Sequence, residues 1–247
     1  MNRWMDPLLG ALERTPGRSA WFFRDDDAGW ADERLLAVAD AFQRNGAILD
    51  VAAIPAAVSQ TLAEGLRARV AAGAVSVHQH GWAHVNHQPD GRRSEFGSAR
   101  SPADQLRDLR QGRSRLSELL QGSLQPFFTP PWNRCEHGTV PLLGEAGFTV
   151  LSCDVSAPRR NVPGIAEVPV RVDWTRCWRE GGPERLGTEL ARSLREQGAS
   201  NGVMLHHAAM TDEQLDVLTP LLTVLSAHPA AVLTSMGSLG AAKCGPA

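Results

Sequence analysis

Short apolar runs alternate along this chain with segments of helical period. The runs are "AWFF" (20–23), "AILDVAAI" (47–54), "AVSVH" (74–78), "PFF" (126–128), "FTVLS" (148–152), "EVPVRV" (167–172), "GVML" (202–205) and "AAVLT" (230–234). Each is short enough to be a strand buried on both faces. The segments between them, around 33–45, 56–72, 101–120, 137–147, 184–197 and 211–227, read as helices, and a short helix precedes the first run. Repeated β-α order of this kind predicts a parallel sheet covered by helices, as in an α/β barrel. With 247 residues the whole chain, 1–247, fits one such domain. Local signals agree: Asp32 reads as an N-cap with Gly46 stopping its helix, and Ser101-Pro102-x-Asp104 opens another, striped by Leu106, Leu109, Leu116, Leu119 and Leu120. The loop-rich stretches 86–100 and 153–166 read as rim or lid segments.

Charge excludes some partners. There are 25 Lys+Arg against 27 Asp+Glu, with no basic stripe or polybasic patch, so neither nucleic acid nor a membrane surface is expected. The N-terminal stretch has no apolar run long enough for a secretory signal core, so the expected location is cytoplasmic. Cys135, Cys153, Cys177 and Cys244 form no CxxC pair, which predicts free thiols and no thiolate metal knuckle.

The chemically capable residues follow the strands: "RDDD" after the first, "HQHGWAH" after the third, "TPPWN" after "PFF" and "HH" after "GVML". In a barrel those strand ends share one face, so segments distant in sequence meet. His80 and His84, four residues apart, can turn two imidazoles toward one ion. Gly81 stands where a zincin would carry its glutamate, so that chemistry is absent. Asp25, Asp26 and Asp27 at the edge of an apolar strand repel one another unless a cation or a proton intervenes, and strand alternation forbids all three from facing one way. Two histidines and one aspartate leave positions open on an ion, a spare carboxylate can accept a proton from water, and His206 can protonate a leaving group.

In this order, "FRDDD", "HGWAH", "FTPPWN" and "VMLHH" resemble the motifs of the polysaccharide deacetylase family, the NodB-homology or carbohydrate esterase family 4 group, over roughly residues 20–207. The resemblance implies a distorted, seven-stranded (β/α) barrel. It also implies Asp26 as catalytic base, Asp27, His80 and His84 as metal ligands, and His206 as general acid. Asp25 and Asp26 are the alternative register for base and ligand. Pro131, Trp132 and Trp82 would contact substrate, with the Trp132 N–H as an oxyanion donor. The implied cofactor is a divalent ion, zinc first, with cobalt, nickel or iron also suited to the ligand set.

The family's arginine before Pro-Pro is Thr129 here, with Arg24 or Arg134 as candidates to replace it. Asp154 and Asp173 both fit the aspartate that tunes the acid histidine. His78 reads as packed under the site, and Asn86 and His87 as loop residues. The expected activity is metal-dependent hydrolysis of an N-acetyl or O-acetyl group on a carbohydrate or related small molecule. The alternatives are hydrolysis of a non-sugar C–N bond, as in a cyclic imide or ureide, and a non-catalytic metal- or carbohydrate-binding protein.

Overall fold

The computed structural model describes residues 3–196 and 200–244. The helix α1 (Asp6–Glu13) leads into β1 (Ser19–Ala28), which continues well past "AWFF" because the charged "RDDD" remains extended. There follow α2 (Asp32–Arg44), β2 (Leu49–Ala53), α3 (Gln60–Ala71), β3 (Val75–His80), α4 (Pro102–Leu119) and β4 (Leu124–Thr129). Then come α5 (Thr139–Glu145), β5 (Val150–Leu151), β6 (Ala166–Glu167), β7 (Val172–Asp173), α6 (Trp174–Arg195), β8 (Asn201–Leu205), α7 (Asp212–Ala227), β9 (Ala231–Leu233) and α8 (Met236–Cys244).

Two local expectations change. Asp32 is the first residue of α2 rather than its cap; the N-cap is Ala31 in a left-handed conformation, without a side-chain bond to the helix. The helix expected over 184–197 begins at Trp174 and bends where Gly181, Gly182 and Pro183 interrupt it; residue 197 lies outside the described residues. Ser101 caps α4 as expected, its hydroxyl accepting the Asp104 N–H.

All strands pair in parallel, in the order β6-β5-β4-β3-β2-β1-β8-β7, with β9 added on β1. The expected count of seven is therefore corrected to eight along the path plus β9. The extra division has a cause. The stretch 166–173 runs between β5 and β8, giving the Val168 and Val170 N–H groups to Leu151 and Cys153 and the Arg171 N–H to Gly202. Pro169, whose N–H would point toward β8, has none to give, so the one strand read over 167–172 becomes the two short strands β6 and β7. This seam joins the two ends of the sheet.

Alternation along each strand sorts the side chains into an inner and an outer layer. Trp21 and Phe23 of β1, Leu49 and Val51 of β2 and Val203 and Leu205 of β8 pack outward against the helices. Phe22, Phe127, Val150, Val168, Val170 and Met204 fill the barrel interior, together with Met236 at the start of α8. A third cluster, around Phe96, Leu109, Phe128 and Phe148, seats α4 and α5.

Asp50 is an inward polar exception, fully buried, with Oδ2 accepting the Met236 N–H at 2.8 Å. Burial pushes its carboxyl up to about 7, against the opposing hydrogen bonds. Folded Asp50 thus keeps a proton that the unfolded chain releases near pH 4, so its contribution to stability falls as pH rises toward about 7 and is level above it. We predict that Asp50→Asn removes a loss of about 1.4 kcal/mol per pH unit between pH 5 and 6, within that window. Urea unfolding of both proteins at those pH values checks it.

Candidate active site

The C-terminal ends of β1, β3, β4 and β8 meet on one face of the barrel, and the site is built there. Along β1, Arg24 and Asp26 face inward and Asp25 outward. Asp27 breaks the pattern: it has φ of 74°, and the pairing of β1 with β2 slips between Asp25 and Ala28. The left-handed residue returns the Asp27 carboxylate to the inward side, next to His80 of β3 and His84 of the following turn.

The Asp27 Oδ1 atom lies 3.2 Å from Nε2 of His80 and 3.2 Å from Nε2 of His84, and these three residues form a cluster able to hold a metal ion. The protonation pattern supports that use. His80 Nδ1 lies 3.0 Å from the Thr129 carbonyl, which only accepts, so Nδ1 carries a proton and Nε2 is the ring atom turned toward Asp27. Buried Asp27 Oδ1 has no hydrogen-bond partner. Two imidazole Nε2 atoms converging on one carboxylate oxygen make a His2Asp donor set, which suits a divalent ion. The charges agree: burial alone would raise Asp27, yet the His80 contact and the surrounding histidines hold it down to about 2.

Asp26 is gripped from beneath. Arg24 Nε and Nη2 donate to its two carboxylate oxygens at 2.8 Å each, a bidentate fork wholly inside the barrel. Arg24 is itself held by the Ser152 carbonyl and hydroxyl, by Asn133 Oδ1 and by Met204 Sδ. Burial works to raise Asp26, but the charge and hydrogen bonds of Arg24, together with the charges of His80 and His206, outweigh it and keep the carboxyl below its ordinary range. Of the two arginines offered as replacements at Thr129, Arg24 makes this contact, whereas Arg134 donates to the Arg93 carbonyl. Thr129 instead holds histidines: its hydroxyl bonds His78 Nε2 at 2.8 Å and its carbonyl orients His80. His78 sits wholly buried below the site, and burial drives it down to about 3, hence neutral.

At the end of β8, His206 lies close enough for its charge to lower both Asp26 and Asp27, and its buried Nδ1 has no partner. His207 faces outward and meets Asp25: Nδ1 is 2.5 Å from Asp25 Oδ1 and Nε2 is 2.6 Å from the Trp30 carbonyl. Burial opposes charge on that ring, but Asp25 prevails and raises it to about 9. Asp154 and Asp173 serve backbone turns, accepting the Ser156 and Arg176 N–H groups.

Of the residues read as substrate contacts, Trp132 lies in the site. Its ring is 4.4 Å from that of His84, and it lines a cavity of about 610 Å³ with Asn133 and Met204. Pro131 is buried against Gly81. Trp82 lines a different surface cavity, with Ala56, Gln111 and Arg115. Exposed His87 and Asn86 belong to the loop, as expected, with Asn86 Oδ1 accepting the Gln88 and Ser94 N–H groups.

One important residue escaped the sequence reading. Glu95, in the loop-rich 86–100 stretch, is fully buried, and its two oxygens accept the N–H groups of Trp82 and Ala83 at 3.0 and 2.8 Å. It fixes the turn that delivers His84, which has φ of 56°. Gly81 is required beside it: with φ of 58°, a Cβ there would come within 2.0 Å of Glu95 Oε2. Only its place next to "SEF" in a polar loop was available as a signal, and that says nothing of burial.

No protein-family model matches the sequence, and no curated protein matches it. Solved structures do. A Mycobacterium smegmatis protein assigned as a polysaccharide deacetylase superposes with TM-score 0.67 at 15% identity, covering 91% of this chain and 90% of that one. A family 4 acetyl xylan esterase from Clostridium thermocellum, solved with a cobalt ion, gives 0.59 at 15%, covering 92% and 93%. A family 4 pseudoenzyme from Bacillus anthracis gives 0.59 at 16%, covering 92% of this chain and 66% of that one. At such identity the likeness establishes the fold, an α/β distorted barrel of the NodB type.

The Glu95 geometry gives a test. Glu95→Gln should leave the far-ultraviolet circular dichroism unchanged and weaken binding of a divalent ion by roughly 10-fold or more, because the turn that carries His84 loses its anchor. Calorimetric titration with zinc checks this, and equal affinity in both proteins would remove Glu95 from the site's support.

Proposed function

We propose that this chain, which carries the NodB-type barrel, is a metal-dependent deacetylase that removes an acetyl group from an N- or O-acetylated carbohydrate. The observation that carries the reading is the pairing of two separate devices at one barrel mouth: a His2Asp cluster made by Asp27, His80 and His84, and a second carboxylate, Asp26, held ionised by Arg24. Binding alone would require the first and not the second.

In this reading Asp27, His80 and His84 hold the ion, zinc being the first choice and cobalt, nickel or iron fitting the same donors. When bound, the ion polarises the acetyl carbonyl and acidifies water, from a pKa of about 15.7 toward about 7. Asp26 would then take the proton of the attacking water on a carboxylate lone pair that the Arg24 fork leaves free. Arg24 fixes the plane of that carboxylate and keeps it ionised. His206, whose Nδ1 is unpartnered, gives a proton to the departing nitrogen or oxygen. The backbone N–H of Trp132, in a turn with φ of 56°, supplies a donor to the developing oxyanion.

The adjoining cavity favours a sugar. Its lining includes Ser94, Ser98, Asn133 and Arg134 beside Trp132, so hydroxyl groups find partners and a ring face finds an indole. The non-sugar C–N substrate drew support from the missing family arginine, and Arg24 supplies that charge from another strand. The pseudoenzyme among the structural neighbours keeps the non-catalytic reading as an outcome of the experiment.

Three measurements test this reading. His80→Ala or His84→Ala should lose stoichiometric metal by elemental analysis while remaining folded, and full retention in both would overturn the ligand assignment. Asp26→Asn and His206→Ala should each keep the metal and lose on the order of 10²-fold or more in turnover. Acetate release from acetylated chito- and xylo-oligosaccharides supports the reading; ring opening of cyclic imides without acetate release, or no turnover of either by metal-loaded protein, would overturn it.

Arg24→Lys gives the pH dependence. Loss of the fork lets burial raise Asp26, so the ionised base is lost at a higher pH than in the parent protein. The acidic limb of the kcat/KM profile should move upward and the plateau fall roughly 10-fold or more.

A further inference from the structure

Cys135 and Cys153 are 18 residues apart in the chain, on different elements, yet the fold brings both onto one apolar cluster and around one arginine. Cys153 follows β5, and Cys135 follows the turn that carries Trp132 and Asn133. A single guanidinium touches both: Arg160 Nη1 is 3.9 Å from Cys153 Sγ, and its Nη2 donates to the Cys135 carbonyl at 3.0 Å. Both residues pack on the apolar cluster around Phe96 and Phe128, so their backbones are firmly seated. Neither is sealed off. Half-buried Cys135 lines the 610 Å³ cavity beside the proposed active site, and Cys153 lines an adjacent cavity of about 190 Å³.

We propose that Cys135 and Cys153 are a thiol pair oxidised reversibly to a disulfide by hydroperoxides, a modification site at the rim of the barrel mouth. The chemistry balances with one oxidant. The Cys153 thiolate attacks the O–O bond of a hydroperoxide, an S–O bond forms, the O–O bond breaks, and the leaving oxygen takes a proton to become water or an alcohol. The Cys135 sulfur then attacks the sulfenic sulfur: an S–S bond forms, the S–O bond breaks, and hydroxide leaves with the thiol proton as water. Two thiols lose two electrons and two hydrogens, and one hydroperoxide is reduced. The order of attack follows from the environment. Contact with Cys135 and then the charge of Arg160 lower the Cys153 thiol despite its burial, while the same contact and burial raise Cys135.

The position gives the bond a consequence. Ser152, next to Cys153, and Asn133, two residues before Cys135, both hold Arg24. A disulfide therefore ties together the two segments that grip the arginine beneath Asp26.

The test reads mass rather than turnover, so its result is independent of the deacetylase reading. Purified full-length protein is treated with hydrogen peroxide, alkylated with iodoacetamide, digested without reductant and analysed by mass spectrometry. The expected product is one linked pair of peptides, containing Cys135 and Cys153 and lighter by two hydrogens than the separate peptides. Cys177 stays alkylated, and dithiothreitol restores alkylation at both members of the pair. Cys135→Ser should leave Cys153 carrying a single added oxygen, trapped by a cyclic dione. The proposal is overturned if peroxide takes both thiols independently to sulfonic acid, links either of them to another cysteine, or leaves both fully alkylated.

Discussion

Three consecutive carboxylates at the end of a strand buried on both faces are tolerable only if each meets its own positive charge, and the architecture of the barrel mouth follows from that constraint. Alternation makes the first division. It sends Asp25 outward, where His207 receives it, and Asp26 inward, where Arg24 two residues earlier on the same face forks onto it. Alternation would send Asp27 outward as well, beside Asp25. A left-handed backbone at that one residue turns it in, to the edge of two imidazoles. Each carboxylate therefore has a different kind of partner: an imidazolium, a guanidinium, and a pair of imidazoles with which it forms a cluster able to hold a metal ion.

That solution costs backbone strain, and the strain is concentrated where the chemistry is. Asp27, Ala31, His84, Trp132 and Asn133 are all non-glycine residues with positive φ, on the strand end or the turns of the mouth. Each departure costs on the order of 1 kcal/mol. They hold because their surroundings leave little choice. Glu95 ties down the turn before His84, the Trp132 ring packs against His84, and Asn133 is bonded to both Arg24 and Met204. The side chains of the mouth are thus held in place by packing and hydrogen bonds from the protein itself.

The sequence carried the fold and the main partners of the site because both depend on short-range patterns. Apolar runs of strand length alternating with helical segments gave the parallel β-α order, and polar clusters placed just after those runs had to share a face. The strand count was not legible in the same way, since whether Pro169 divides a strand depends on which neighbour its missing N–H would face. The Asp25, Asp26 and Asp27 register stayed open for a similar reason: alternation separates neighbours, but nothing in "DDD" announces a left-handed residue. Glu95 and the Cys135–Cys153 pair were invisible because their meaning lies in contacts across loops. A glutamate in a polar loop and two scattered cysteines have no local signature of burial or proximity.

Arg24 shows that the charge beneath Asp26 does not depend on the residue before Pro130-Pro131. A charge that orients the Asp26 carboxylate is needed in space, not at a given place in the chain, and the barrel interior can be reached from any strand. Here the position before Pro130-Pro131 is Thr129, which is spent on His78 and His80, while the guanidinium rises from β1 itself. Its place on β1, the strand of Asp26 itself, sets what surrounds it. Arg24 lies wholly within the barrel and is satisfied by Ser152, Asn133 and Met204 from three other segments, so its exchange entails changes in each of them.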